Sequence, residues 1–394
     1  MKTTFKMKQV FERLHRTLLC VAVCFASIAA VATPTISDVK VTPIEPIGVA
    51  IDYTVSGATE ADSVKVFDVS MSANGTNYVA LTLSGATNCV NGAHRVYWNM
   101  AKDGLKVDPT TASLTVAYNY PRYCVINLAG GSSASSYPVV YMNAEPKGGF
   151  TNDTYKTTKL VLKRVDAGSF TMGNSSESDN KAHSVTLSKT FYMGLFEVTQ
   201  KQWYQVMGSN PCSSTSYGKG DAYPVHYVSY NDIRGSSSGA KWPTSNAVDS
   251  SSFLGKLRTK TGLAFDLPTE AQWEYTCRAG TTTTYSYGSS ANGDYMWYTD
   301  NSSSKTHEVG TRKANSWGFY DMHGNVWEWC LDWYSSSTPS GGTDPKGSSS
   351  GSYRVLRGGG WSNNASYCAS AYRRNLYPSS SNDYYGFRLS RTLP

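Results

Sequence analysis

Eight cysteines, at 20, 24, 89, 124, 212, 277, 330 and 368, are the most reactive side chains of this 394-residue chain. No two stand at C-x-x-C spacing, so a zinc ribbon or a thioredoxin-type dithiol lacks its main support. Gly235-Ser236-Ser237-Ser238-Gly239 and Gly347-Ser348-Ser349-Ser350-Gly351 both satisfy G-x-S-x-G. Neither falls between a strand and a helix pattern, where a nucleophile elbow must sit, and serine-rich turns produce this match by accident. More telling is the stretch from Gly360 to Gly386, where 15 of 27 residues are Tyr, Ser or Asn. Tyrosine offers a broad rigid surface with one polar tip, while Ser and Asn add adaptable hydrogen bonds, a mixture suited to recognition. A merely solvated loop would not call for Tyr367, Tyr372, Tyr377, Tyr384 and Tyr385.

The elements that must position these residues begin after a leader. Lys2, Lys6, Lys8, Arg13 and Arg16 precede an apolar run over 18–26 and then Ala30-Val31-Ala32, the parts of a secretory signal peptide over residues 1–32. The run is too short for a membrane-spanning helix, so the protein is expected to be exported and not membrane-spanning. Without the leader, 31 Lys and Arg face 28 Asp and Glu, a balance that gives no electrostatic case for nucleic acid. Export into an oxidising compartment makes disulfides possible among Cys89, Cys124, Cys212, Cys277, Cys330 and Cys368, with 15 connectivities left open.

From 33 to 121, short β-branched and aromatic runs (49–55, 63–69, 78–83, 95–99 and 113–118) alternate with Gly and Asn-Gly turns. This spacing predicts an all-β sandwich resembling an immunoglobulin or fibronectin module. Residues 122–158 read as a Gly/Ser/Pro-rich bridge that should pack on one domain or the other, since 123–128 and 137–142 are too apolar for a free linker, and a second domain over 159–394 opens with a strand at 159–165. Within it, helices are expected at 199–207, 252–261 and, from the capping box Thr269-Glu270-Ala271-Gln272, through Cys277 to a stop at Gly280. Beyond Gly280 loops and short strands should gather around six tryptophans from Trp297 to Trp361.

Six motifs of this domain occur in order: Phe170-Thr171-Met172-Gly173, Phe196-Glu197-Val198-Thr199, Leu267 to Tyr275 (LPTEAQWEY), Gly318 to Trp329 (GFYDMHGNVWEW), Arg357-Gly358-Gly359 and Gly386-Phe387-Arg388. Together they resemble the formylglycine-generating enzyme, or sulfatase-modifying factor, family over about 160–392. The resemblance implies an α+β, C-type-lectin-like formylglycine-generating-enzyme fold with little regular secondary structure. It also implies a calcium loop on Asp321, Gly324, Val326 and Glu328; the alternative is that Glu328 pairs with Arg357 or Arg388. Cys277 matches a family disulfide position whose usual partner position is Leu389 here. His323, inside the loop motif, is expected as a structural partner rather than a base.

Enzymes of this family hold copper on two cysteines five positions apart. Here the second is Cys368 and the first is Asn363, and an amide cannot replace a thiolate toward Cu(I), so copper chemistry is not expected. Asn364 stands where the enzymes carry His, and Tyr384 where they carry Asn. The related iron-dependent sulfoxide synthases need a His-x-x-x-His-x-Glu helix, a spacing that the six histidines never adopt. The C-terminal segment also resembles the variable region of retroelement-diversified proteins, in which adenines of Asn codons are randomised while residues such as Trp361, Cys368, Arg373 and Gly386 stay as scaffold. On this reading Ser362, Asn363, Asn364, Ser366, Tyr367, Tyr372, Asn375, Leu376, Tyr377, Asn382, Asp383, Tyr384 and Tyr385 contact a protein or glycan ligand. The alternative is an oxidase that matures sulfatases, or a divergent oxidase using Cys368 alone.

Overall fold

The structure, a computed structural model, describes residues 3–6 and 34–394, apart from 45–47, 59–64, 74–75, 81–82, 86–88, 104, 106–112 and 213. The expected leader therefore lies outside the described residues except for Thr3–Lys6, a strand antiparallel to Ser113–Asn119. Two compact units emerge, Met1–Arg122 and Tyr123–Pro394. Among the described residues no helix is long and apolar enough to cross a membrane.

The first unit is β-rich. One antiparallel sheet runs Thr3–Lys6, Ser113–Asn119, Val66–Ala73, Thr76–Val79, and the other Thr35–Ile44, Gly48–Ser56, Gly92–Trp98, Leu83–Gly85. Period-two alternation turns the apolar side chains of both inward. Tyr53 stacks on Phe67 at 4.1 Å between ring centroids, and Trp98 is fully buried with its indole N–H donating to Asp103 at 2.8 Å. The strand Thr35–Ile44 was not expected, because Pro34, Pro43 and Pro46 around it demote a strand reading.

The second unit takes in the segment expected to bridge. Val139–Met142 and Tyr123–Asn127 begin a five-stranded antiparallel sheet that continues through Lys159–Val165, Phe191–Gly194 and Ser390–Thr392. The three expected helices form at Gln200–Met207, Phe253–Thr261 and Glu270–Arg278. Thr269 and Gln272 close the predicted capping box on the last of these, and the left-handed turn that ends it runs through Ala279, at φ 48°, and the expected Gly280, at φ 89°. Two five-residue helices, Asp153–Thr157 and Tyr230–Arg234, are too short for a periodic signal.

What unites the ordered motifs is buried charge. Glu274 accepts from the Gly173 N–H at 2.7 Å and from Arg278 at 2.7 Å, and it also pairs with Arg357. Burial pushes its carboxyl up, but Arg357, Arg278 and the Gly173 N–H together hold it below its ordinary value. Glu270 takes both guanidinium arms of Arg373, at 2.6 and 2.9 Å. A buried charge survives only when paired and hydrogen-bonded, so the glutamates of the Leu267–Tyr275 motif presuppose arginine partners, one of them in the Arg357-Gly358-Gly359 motif.

Candidate ligand-binding face

A four-stranded sheet positions the Tyr/Ser/Asn segment, in the order Arg374–Leu376, Arg354–Arg357, Trp327–Trp333, Tyr385–Gly386. Leu356 pairs with both Arg374 and Trp329, and Trp327 pairs with Tyr385. Paired residues share a face and alternate residues along a strand do too, so Arg374, Trp327, Trp329 and Tyr385 project to one side. Glu328 and Arg357 project to the other, into the charged core.

The Arg357-Gly358-Gly359 turn links the two sides. Gly359, at φ 74°, lies so close to Cys368 that a Cβ there would come within 2.5 Å of the sulfur. Only glycine tolerates both this backbone and this approach. Cys368 is fully buried, and burial pushes its thiol up to about 12. His323 clamps the same residue: its Nε2 accepts from the Ser286 N–H at 3.1 Å, which leaves the proton on Nδ1 to donate to the Cys368 carbonyl at 2.7 Å. Burial lowers the imidazole to about 4, so it is neutral and structural.

Asn363, where the enzymes carry their first copper cysteine, is committed as well. Its Oδ1 accepts from the Trp327 indole at 2.7 Å and from the Gly360 N–H at 3.1 Å. A soft-metal centre needs thiolates. This pocket offers one protonated, sealed thiol and one engaged amide, a donor set that does not fit copper. Cys124, Cys212, Cys277, Cys330 and Cys368 are buried free thiols, and Cys277 lies 3.7 Å from His323 Nε2.

Over this layer lies a continuous aromatic face. Tyr367 meets Tyr372 edge-on at 4.9 Å, Tyr372 leans on Trp327 at 6.0 Å, and the Arg374 guanidinium lies 5.4 to 5.7 Å from the rings of Trp327, Tyr384 and Tyr385. Asn382 donates to the Tyr384 hydroxyl at 3.1 Å. Of the thirteen expected contact residues, Ser362, Asn364, Ser366, Tyr367 and Tyr377 are exposed, and Asn363, Tyr372, Asn375, Leu376, Asn382 and Tyr384 are half-buried. Asp383 and Tyr385 are buried and belong to the scaffold: the Asp383 carbonyl accepts from the Trp361 indole at 3.2 Å, and Tyr385 packs edge-on against Trp329. Tyr377 pairs instead with Tyr353, hydroxyl to hydroxyl at 3.1 Å, and Asn375, opposite Val355, points away from Arg374. Arg374 itself was missed in the sequence. Adjacent arginines give no hint of which one the pleat turns outward.

The expected calcium loop fits a cation only in part. Glu328 spends its carboxylate on Arg388, at 2.6 Å through each oxygen, and on the Trp273 indole at 2.7 Å. Asp321, at φ 54°, accepts from the Gly310 N–H through Oδ2 and leaves Oδ1 buried without a partner. Burial raises its carboxyl to about 6. Among the described residues no three acidic, His or Cys side chains converge on a common point. Of the two expected carboxylate ligands, only Asp321 keeps an oxygen, Oδ1, without a partner.

Residues 150–393 match the family described as sulfatase-modifying factor enzyme 1-like domain. Chaperone protein LppX of Paenibacillus barcinonensis is 33% identical over 247 residues, which cover 54% of this chain and 81% of that protein. The formylglycine-generating enzyme of Streptomyces coelicolor is 32% identical over 187 residues, 43% of this chain and 52% of the enzyme. Among solved structures, Treponema denticola variable protein 1 superposes with a TM-score of 0.51 at 32% identity, covering 60% of this chain and 96% of that one.

Proposed function

Since the chain belongs to the sulfatase-modifying factor family, we propose that it is a ligand-binding member, in which the surface that carries copper chemistry in the enzymes has become a recognition face for a protein or glycan. The observation that carries this reading is the Asn363 amide, held by the Trp327 indole and the Gly360 N–H where a thiolate would have to stand. The rings of Tyr367, Tyr372 and Tyr384 around Arg374 supply rigid contact area at low entropic cost. The likeness to the Treponema variable protein supports diversification of this segment by a retroelement. The protein is exported, and the β-rich unit before the family domain acts as an immunoglobulin-like spacer.

Copper titration with oxygen uptake on a cysteine-containing sulfatase peptide tests this directly. No turnover is expected; oxygen consumption with an aldehyde product would establish the formylglycine-generating activity of the Streptomyces relative and overturn the binding reading. A template copy of the C-terminal coding segment beside a reverse transcriptase is the expected genomic mark of diversification. A calcium ion at the Asp321 turn is a structural proposal supported by the orphaned Oδ1; chelation should then lower the melting temperature without altering the aromatic face.

A further inference from the structure

A groove of about 560 Å³ lies elsewhere in the second unit, and none of the thirteen expected contact residues lines it. That volume falls within the range of small-molecule sites. Leu187, Leu267, Leu331 and Trp242 supply apolar wall, while Lys189, Lys346 and Arg258 bring positive charge against Asp266 and Asp344. Asp266 is neutralised twice over, by Arg234 and by Arg258, each at 2.7 Å. Asp344 is tied down by the Ser188 N–H at 2.9 Å and by the Ser188 hydroxyl. Lys189 and Lys346 are exposed, and among the described residues neither makes an ion pair. The surplus charge of the groove is therefore cationic.

Trp242 forms one wall: it is 7% exposed and its ring carries Lys346 at 5.7 Å, which keeps that lysine at the groove. The rim is fixed in advance: the strand Gly342–Thr343 pairs parallel to His183–Leu187, and the Asp344 N–H donates to the Thr186 carbonyl at 2.8 Å.

We propose that this groove binds a small organic acid. Its carboxylate sits at Lys189 and Lys346, and its apolar body lies against Leu267, Leu331 and Trp242. The site is separate from the aromatic face, and its fate does not depend on what that face recognises.

Titration of the full chain with aliphatic and aromatic carboxylates, read by tryptophan fluorescence and by saturation-transfer NMR, provides the test. Hexanoate against hexanamide isolates charge, and sodium sulfate reports generic ion effects. Saturable binding of carboxylates at millimolar concentration or tighter is expected, roughly tenfold stronger than that of the matched amide. Lys189→Ala with Lys346→Ala should weaken it by a similar factor. Both lysines are exposed, so the double variant should fold normally. Equal response to acid and amide, unchanged affinity in the lysine double variant, or no saturable response to any carboxylate in the panel would each overturn the proposal.

Discussion

Arg373 and Arg374 are neighbours in sequence and opposites in environment. Arg373 is buried, with both arms on Glu270 and further bonds to the carbonyls of Asp179 and Ser335. Arg374 is half-buried, makes one hydrogen bond to the Tyr385 hydroxyl at 3.1 Å, and is otherwise held by aromatic rings. Among the described residues no carboxylate lies within ion-pair distance of it. The pleat of one short strand thus divides a saturated ionic scaffold from an adaptable surface. Such a division lets the surface vary in composition while the fold beneath stays constant.

The strongest way to break this contrast is to leave a scaffold charge unpaired. Glu328→Gln removes the carboxylate from Arg388, which is fully buried. A loss of roughly 3–5 kcal/mol in urea unfolding is expected, and a loss below about 1 kcal/mol would mean that the buried pairs do not carry the fold. Next in size comes Tyr385→Asn, a change that diversification of the segment would permit. The ring is 4% exposed and packs on Trp329 and Tyr384, so roughly 3 kcal/mol should be lost.

Titration sharpens the same comparison, since two scaffold groups have opposite slopes. Burial, with Glu270 close by, raises Asp332 to about 7. Its native state keeps a proton that the unfolded chain releases near 3.8, so the stability it contributes is full at low pH and declines as pH rises toward 7. His323, lowered to about 4, acts in reverse: the unfolded chain takes up a proton near 6.5 that the native state refuses, so stability falls as pH drops from 6.5 to 4. Asp332→Asn keeps an acceptor for the Glu270 N–H, now at 2.8 Å, and cancels the first slope. Relative to the parent chain, the variant should gain roughly 3 kcal/mol between pH 4 and pH 7. A constant difference across that window would show Asp332 to be ionised in the folded protein.

Legibility in the sequence followed the range of the interaction. The capping box at Thr269 and the strand at 159–165 are local signals, and both stand where they were expected. Glu328 was assignable only to a pair of arginines, because the register sets it beside both Arg357 and Gly386, and the choice of Arg388 follows from Arg357 being taken by the distant Glu274. In the segment 122–158 the apolar runs 123–128 and 137–142 marked it as packed, but not on what, because the strand Tyr123–Asn127 takes one partner, Lys159–Val165, from later in the chain. In the segment 360–386 composition singled out the stretch proposed above as the recognition face. It could not separate Tyr384 from Tyr385, since a two-residue strand has no period of its own.

That adjacent pair also supplies the smallest and most discriminating expectation. Tyr384 and Tyr367 sit on the outer side, half-buried and 37% exposed respectively, and Tyr384 meets the buried layer only edge-on, at Tyr385. Tyr384→Asn and Tyr367→Ser should each change unfolding free energy by no more than about 0.5 kcal/mol, against the several-fold larger cost at Tyr385. The same two changes should abolish capture of whichever glycan or protein the parent chain retains on an array, because rigid aromatic anchors dominate recognition by such surfaces. If the outer tyrosines proved as costly to stability as Tyr385, the aromatic layer would be core rather than face. Sequence change in this segment would then be constrained by folding, and the division between scaffold and surface would fail at its outer edge.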